Sequence, residues 1–245
     1  MPAANRLKVI LLISWKKLWS SRVSFIVLLA FVAFLLFFWL KDSFGASFNF
    51  LLFFSPHLFL FLSQDMMKDE IESGMLENVI FLKCRYQDYL LNKNLFVGFA
   101  AFICVSGLYV VFSGYGLAAH KYSPFFLIQF LAATIVGLYY VYLGGWLSLY
   151  VRGGSNVMIL IISQALIFIA LLFSATQRTG FIDYLEKGAF PNLASQIKFL
   201  AMIILLPNLA VTKNFLGYIL EVIVLLVLIL IFQKIKIQRL EIKKK

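Results

Sequence analysis

Charge is scarce in this chain: Asp, Glu, Lys and Arg make up only 13% of its 245 residues. A domain that folds in water carries about twice that share, so an ordinary globular fold is excluded. Stretches of strict apolar–polar alternation are missing as well, which excludes a membrane β-barrel. Cysteine is limited to Cys84 and Cys104, one in a loop and one in an apolar run, and neither their spacing nor their context suggests a disulfide or a metal site. No G-x-x-x-x-G-K-[ST] loop occurs, and no polar stretch is long enough for a nucleotide-binding domain, so any ATP-driven work needs another polypeptide. The paired histidines of an H-E-x-x-H metalloprotease are lacking, since His57 and His120 stand far apart. A membrane Ser–His dyad would rest on "VSGLYVV" and His57 alone, a weak coincidence. The N-terminal "MPAANRLKVILLISWKKLWSSR" has an interrupted apolar region and no small-residue cleavage site, so no cleavable signal is expected.

What is present is apolar: 62% of the residues are hydrophobic, 27 of them Phe. Runs of about 18 or more such residues each cross a ~30 Å hydrocarbon core as a helix. The composition therefore predicts an all-α polytopic membrane protein with six spans, near 23–40, 46–64, 95–118, 125–149, 156–175 and 215–233. An apolar piece at 199–211, interrupted by Pro207, is too short for an ordinary crossing and reads as re-entrant or interfacial.

The net charge of +11 does not point to nucleic acid, because the cations cluster at the ends of the apolar runs. Of the 22 Lys and Arg residues, 16 fall on the side shared by both termini and 6 on the other. By the positive-inside rule both termini are expected in the cytoplasm, with anionic lipid headgroups as partners of the basic flanks. In residues 5–20, Leu7, Leu11, Trp15 and Leu18 recur at helical spacing among Arg6, Lys8, Lys16 and Lys17. This pattern predicts an amphipathic helix lying along the inner headgroup layer.

One cytoplasmic segment breaks the basic pattern. The loop 65–94 opens with "DMMKDEIESGMLENVIFL", in which Met67, Ile71, Met75, Val79 and Leu82 form an apolar stripe. Asp69, Glu70, Glu72 and Glu77 stand off that stripe, and Gly74 can end one short helix so that another starts at Met75. Anionic headgroups would repel those carboxylates, so the loop is suited to a protein surface.

In these residues the chain resembles the permease subunits of type-2 ABC transporters. That family combines an N-terminal amphipathic helix, six spans and a first cytoplasmic loop close to E-x-G-T-L-E-x-L-L, followed further on by Gly-Lys. Here Glu72, Gly74, Leu76 and Glu77 match in "ESGMLENVI", and Lys93 matches in "LLNKNLF". Met75 stands where Thr is usual, Lys83 where Pro is common and Asn92 where Gly precedes the lysine. The resemblance implies that the loop, with Ile80, Arg85 and a smaller turn at Arg152, docks a cytoplasmic ABC ATPase dimer that holds ATP and Mg. It implies no cofactor on this chain, a second permease copy or related permease as partner, and the bacterial cytoplasmic (inner) membrane as location. Export of an amphipathic or apolar substrate is the activity implied. A haem-exporter-like permease of cytochrome c maturation and a non-transporting, ATPase-linked membrane anchor are the alternatives.

Four residues within the spans are candidates for a substrate path. His57, beside Pro56, either is functional or is a neutral ring bonded to a neighbouring helix. Glu221 either pairs with Lys213 or Lys198, is protonated, or faces a polar cavity. The tyrosines of "GLYYVYLGGWLSLYV", Tyr139 and Tyr142 among them, are candidates to line an aromatic path, an interfacial aromatic belt accounts for Trp146 and Tyr150, and Gly144 and Gly145 permit close helix approach.

Overall fold

The computed structural model describes residues 29, 31–33, 35–36, 43–63, 86–151, 155–176 and 190–243. The N-terminal segment 5–20, most of the first expected span and the loop residues Asp69, Glu70, Glu72, Gly74, Met75, Leu76, Glu77, Ile80 and Arg85 lie outside that set, as does Arg152. Among the described residues all regular structure is helical and no strand occurs. Five stretches among the described residues are long and apolar enough to cross a membrane: Phe44–Leu62, Tyr89–Ala118, Phe125–Leu147, Ser155–Phe173 and Lys213–Arg239. The protein is a multi-pass helical membrane protein.

Helix α1 (Phe44–Leu62) starts at Ser43, whose Oγ accepts from the Ala46 amide at 3.2 Å. Pro56 has no N–H to give the Leu52 carbonyl one turn back. The Ser55 hydroxyl donates to that same carbonyl at 3.3 Å, so the helix continues through the proline. Helix α2 (Tyr86–Ala118) begins nine residues before the expected boundary at 95. Tyr89 and Leu90 are buried in line with Val97, Ala101, Val105 and Phe112, so the packed stripe runs through the polar start "YQDYLLNKN".

Helix α3 (Phe125–Leu147) is the centre of the bundle, with Val136, Tyr139, Tyr140 and Val141 fully buried. Small residues let α1 lie against it. A Cβ added at Gly137 would stand 2.5 Å from the Phe59 ring, and one at Gly144 would overlap the Ser63 hydroxyl. Helix α4 (Ser155–Thr176) shows an apolar outer face, with Met158, Ile162, Leu166 and Phe173 exposed and Leu160 and Gln164 buried.

Helix α5 (Leu193–Leu205) opens on a capping box, the Ser195 amide donating to Asn192 Oδ1 at 2.8 Å and the Asn192 amide to Ser195 Oγ at 3.3 Å. Two short 3-10 helices, Pro207–Val211 and Lys213–Tyr218, lead to α6 (Ile219–Lys243). The apolar piece expected at 199–211 is thus the end of α5 plus the first 3-10 helix, and the cap at Asn192 starts the helix six residues earlier. Likewise the expected span 215–233 opens with 3-10 structure and continues past 233, where Ile237 is buried and Lys236 Nζ sits 4.5 Å from the Tyr150 ring centroid.

Helices α1 to α4 alternate in direction, whereas α5 and α6 both run inward from the end at Phe125, joined by the returning 3-10 segment. At one end Asn156 Nδ2 donates to the carbonyls of Ser63 (3.3 Å) and Gly144 (3.1 Å), tying α1, α3 and α4 together. At the other, the "Phe125 end", the Phe48 and Phe126 ring centroids lie 4.3 Å apart with the rings tilted, and Lys213 Nζ lies 5.9 Å from the Phe125 ring centroid. Between them, the Tyr139 hydroxyl donates to the Ile204 carbonyl at 2.8 Å, while Gln129 Nε2 donates to the Val211 carbonyl at 3.1 Å. The chain therefore meets α3 deep in its length at the end of α5 and is back near the Phe125 end by Val211.

Candidate functional site

Two features stand out among the described residues: a closed ring of polar side chains in the middle of the bundle, and a cavity beside it.

The ring joins four elements. His57 Nε2 lies 2.9 Å from Gln164 Oε1, Gln164 Nε2 donates to the Tyr140 hydroxyl at 2.8 Å, the Tyr140 hydroxyl donates to Asn208 Oδ1, and Asn208 Nδ2 lies 3.3 Å from His57 Nδ1. Tyr140 and Asn208 are wholly buried and Gln164 nearly so. Asn208 Nδ2 also donates to the Phe53 carbonyl at 2.6 Å.

That last bond sets the direction of the rest. A carbonyl only accepts, so Asn208 must turn its NH₂ toward Phe53, and the same NH₂ then faces His57 Nδ1. Nδ1 is therefore the acceptor and the His57 proton resides on Nε2, where it is donated to Gln164 Oε1. Each member gives one proton to the next, so the cycle closes with a neutral imidazole and every one of these contacts satisfied. Such mutual satisfaction is what hydrocarbon surroundings demand of polar groups, because no water competes for them.

The cavity, of about 610 Å³, lies at the Phe125 end between α1, α3 and the two 3-10 helices. Phe50, Phe53 and Phe54 form one wall, and Asn49, Gln129 and Lys213 are among its polar lining. Phe54 connects it to the ring, its centroid 5.6 Å from that of His57, which is itself 5.7 Å from Tyr140.

The residues expected from sequence are distributed unevenly over this geometry. His57 belongs to the ring and bonds a neighbouring helix. Tyr139 is committed to the Ile204 carbonyl, a group left without a helical partner where α5 ends. Tyr142 is buried in α3 and lines neither feature. Glu221 is exposed in the first turn of α6, where the helix dipole favours a carboxylate, and it does not line the cavity. Lys93 is only 4% exposed, near the start of α2 at the end opposite the cavity. Next to it Asn94 is fully buried and approaches α3 where Gly145 leaves room, a Cβ there falling 3.0 Å from Asn94 Oδ1.

Gln164, Tyr140 and Asn208 were not singled out by sequence. The available signal was an isolated amide inside an apolar run, as in "IISQALIF" and "LLPNLAV", since an amide at that depth needs a specific partner.

Compared with protein-family models, with curated proteins and with solved structures, the chain matches none of them.

Proposed function

We propose that the chain is the membrane-spanning subunit of an ATP-driven transporter of the type-2 ABC class, working as an exporter with a separate ATPase. The observation that carries this reading is the acidic amphipathic loop "DMMKDEIESGMLENVIFL" set between α1 and α2, two membrane helices that pack on one another. A short helix with an apolar stripe and flanking carboxylates suits helix-in-groove docking, with Arg or Lys of the ATPase pairing Asp69, Glu70, Glu72 and Glu77. Burial of Lys93 at the root of the loop supports a fixed, load-transmitting connection to α2.

In this reading the bacterial cytoplasmic membrane holds the chain with both termini inside, six spans counting the one at 23–40, and residues 5–20 along the inner headgroups. The excess of cations on the side of the termini supports that orientation. It puts the cavity on the outer side and makes α5 with the first 3-10 helix a re-entrant segment, supported by a length of about 20 Å for its 13 residues. Two permease copies, or this chain and a related one, enclose the path. Closure of the ATPase dimer on ATP and Mg moves the loop and, through it, α1 and α2.

The double substitution Glu72→Lys with Glu77→Lys tests the docking. Loss of ATPase association and of substrate-stimulated hydrolysis, with the permease still folded, is the expected outcome; survival of both refutes the docking.

A further inference from the structure

We propose that the cavity at the Phe125 end binds an amphipathic monoanion, a carboxylate or phosphate head on a hydrocarbon or aromatic body. Its biological meaning rests on the transport reading, since it names the class of cargo; the binding itself does not.

Charge comes first. Among the described residues Lys213 is the one cation lining the cavity, and none of those lining residues is acidic. An anion entering meets a positive charge that no acidic residue of the described lining opposes, carried on an exposed ammonium. A cation of the same size meets only repulsion. The Lys213 backbone is also held in place: Gln129 grips the Val211 carbonyl two residues earlier at 3.1 Å, and the Lys213 ammonium rests 5.9 Å from the Phe125 ring centroid. The amide of Asn49 adds neutral hydrogen-bonding capacity near the same mouth.

The wall specifies the rest of the ligand. Phe54 lies 4.6 Å from Phe50 and 4.9 Å from Phe53, centroid to centroid, so three rings form a continuous apolar surface. A purely hydrophilic anion gains nothing from that surface, whereas a hydrocarbon tail or an aromatic body is desolvated against it. The volume, about 610 Å³, falls within the ~300–1,000 Å³ of ordinary small-molecule sites and accepts both parts together.

The test is a fluorescence titration of the full chain in phosphatidylcholine nanodiscs with dansylaminoundecanoic acid and with its uncharged methyl ester. The acid is expected to bind about tenfold more tightly than the ester, the scale of one charge-assisted contact. Lys213→Gln should remove that advantage and leave ester binding unchanged, and Lys213→Arg should restore it. Phe54→Ala should weaken acid and ester alike. Equal affinities for acid and ester, or acid binding indifferent to Lys213→Gln, overturn the proposal. Repeating the titration in phosphatidylglycerol nanodiscs separates the sources: displacement of the acid assigns the site to lipid headgroups of the bilayer, and persistence assigns it to a free amphiphile. Lys213-dependent binding without a co-purifying ATPase keeps the site and removes the transport reading; an ATPase partner with Lys213-independent binding does the reverse.

Discussion

The Nδ1 atom of His57 lies 3.3 Å from the amide nitrogen of Asn208, a residue 151 positions further along the chain. Because that amide is also bonded to the Phe53 carbonyl, the contact specifies which nitrogen of the imidazole carries the proton. It also pins the first 3-10 helix to α1, so the segment after α5 is held by side chains of α1 and α3.

The chain has two histidines, His57 and His120, and this makes the proton assignment directly observable. Nitrogen-15 spectra of histidine-labelled protein in detergent should show one ring as the neutral Nε2–H tautomer. Asn208→Leu should erase that signature by removing the donor to Nδ1. An Nδ1–H tautomer for His57 in the unmodified protein contradicts the ring.

The same substitution should also weaken the fold. Asn208→Leu strands the Tyr140 hydroxyl and the Phe53 carbonyl's second contact, and polar contacts between membrane helices average about 0.6 kcal/mol each with a maximum near 1.7. A loss of about 1–2 kcal/mol in unfolding measured in mixed micelles is expected. Gln164→Leu should give a loss of the same order, and the double variant less than the sum, since the two residues share one cycle.

Contact between α1 and α3 depends on Gly137, where an added Cβ would press on the Phe59 ring, itself fully buried. Gly137→Val should destabilise by about 2 kcal/mol through overpacking. Gly107→Ala, at a site with nothing within 4 Å of the new Cβ, should be neutral or slightly stabilising because alanine favours the helix. Thermal aggregation midpoints of the two variants check the contrast.

Orientation is open to a labelling experiment. In a background with Cys84 and Cys104 replaced by Ser, Lys121→Cys should react with an impermeant maleimide on intact cells. Tyr150→Cys, exposed at the opposite end of α3, should react only after permeabilisation. The reverse pattern would contradict the cation bias of the loops.

Much of the architecture was legible because hydrocarbon imposes length and composition directly: the runs containing Leu51, Val105, Val136 and Leu160 are apolar over a full crossing, and each is a helix. Boundaries were harder. Tyr89 and Leu90 extend α2 because of what they pack against, and Asn192 starts α5 through a cap that hydropathy does not register. The polar ring was less legible still. His57 was visible as the odd residue in its helix, but its partners are 107 and 151 residues away, and only tertiary structure brings Gln164 and Asn208 to it. Lys213 looked like a loop cation and a possible partner for Glu221; packing of the 3-10 segment against α1 and α3 puts it at a cavity instead. Glu221 stays on the surface of α6 because the first turn of that helix points it outward.

The transport reading stands or falls on whether a separate ATPase serves this chain. Affinity-tagged protein purified from its native membrane under mild detergent should carry a soluble ATPase polypeptide in near-equal amount, with vanadate-sensitive hydrolysis that disappears in the Glu72→Lys, Glu77→Lys variant. Purification of the intact chain with no ATPase, in the presence of ATP and Mg, would contradict the account.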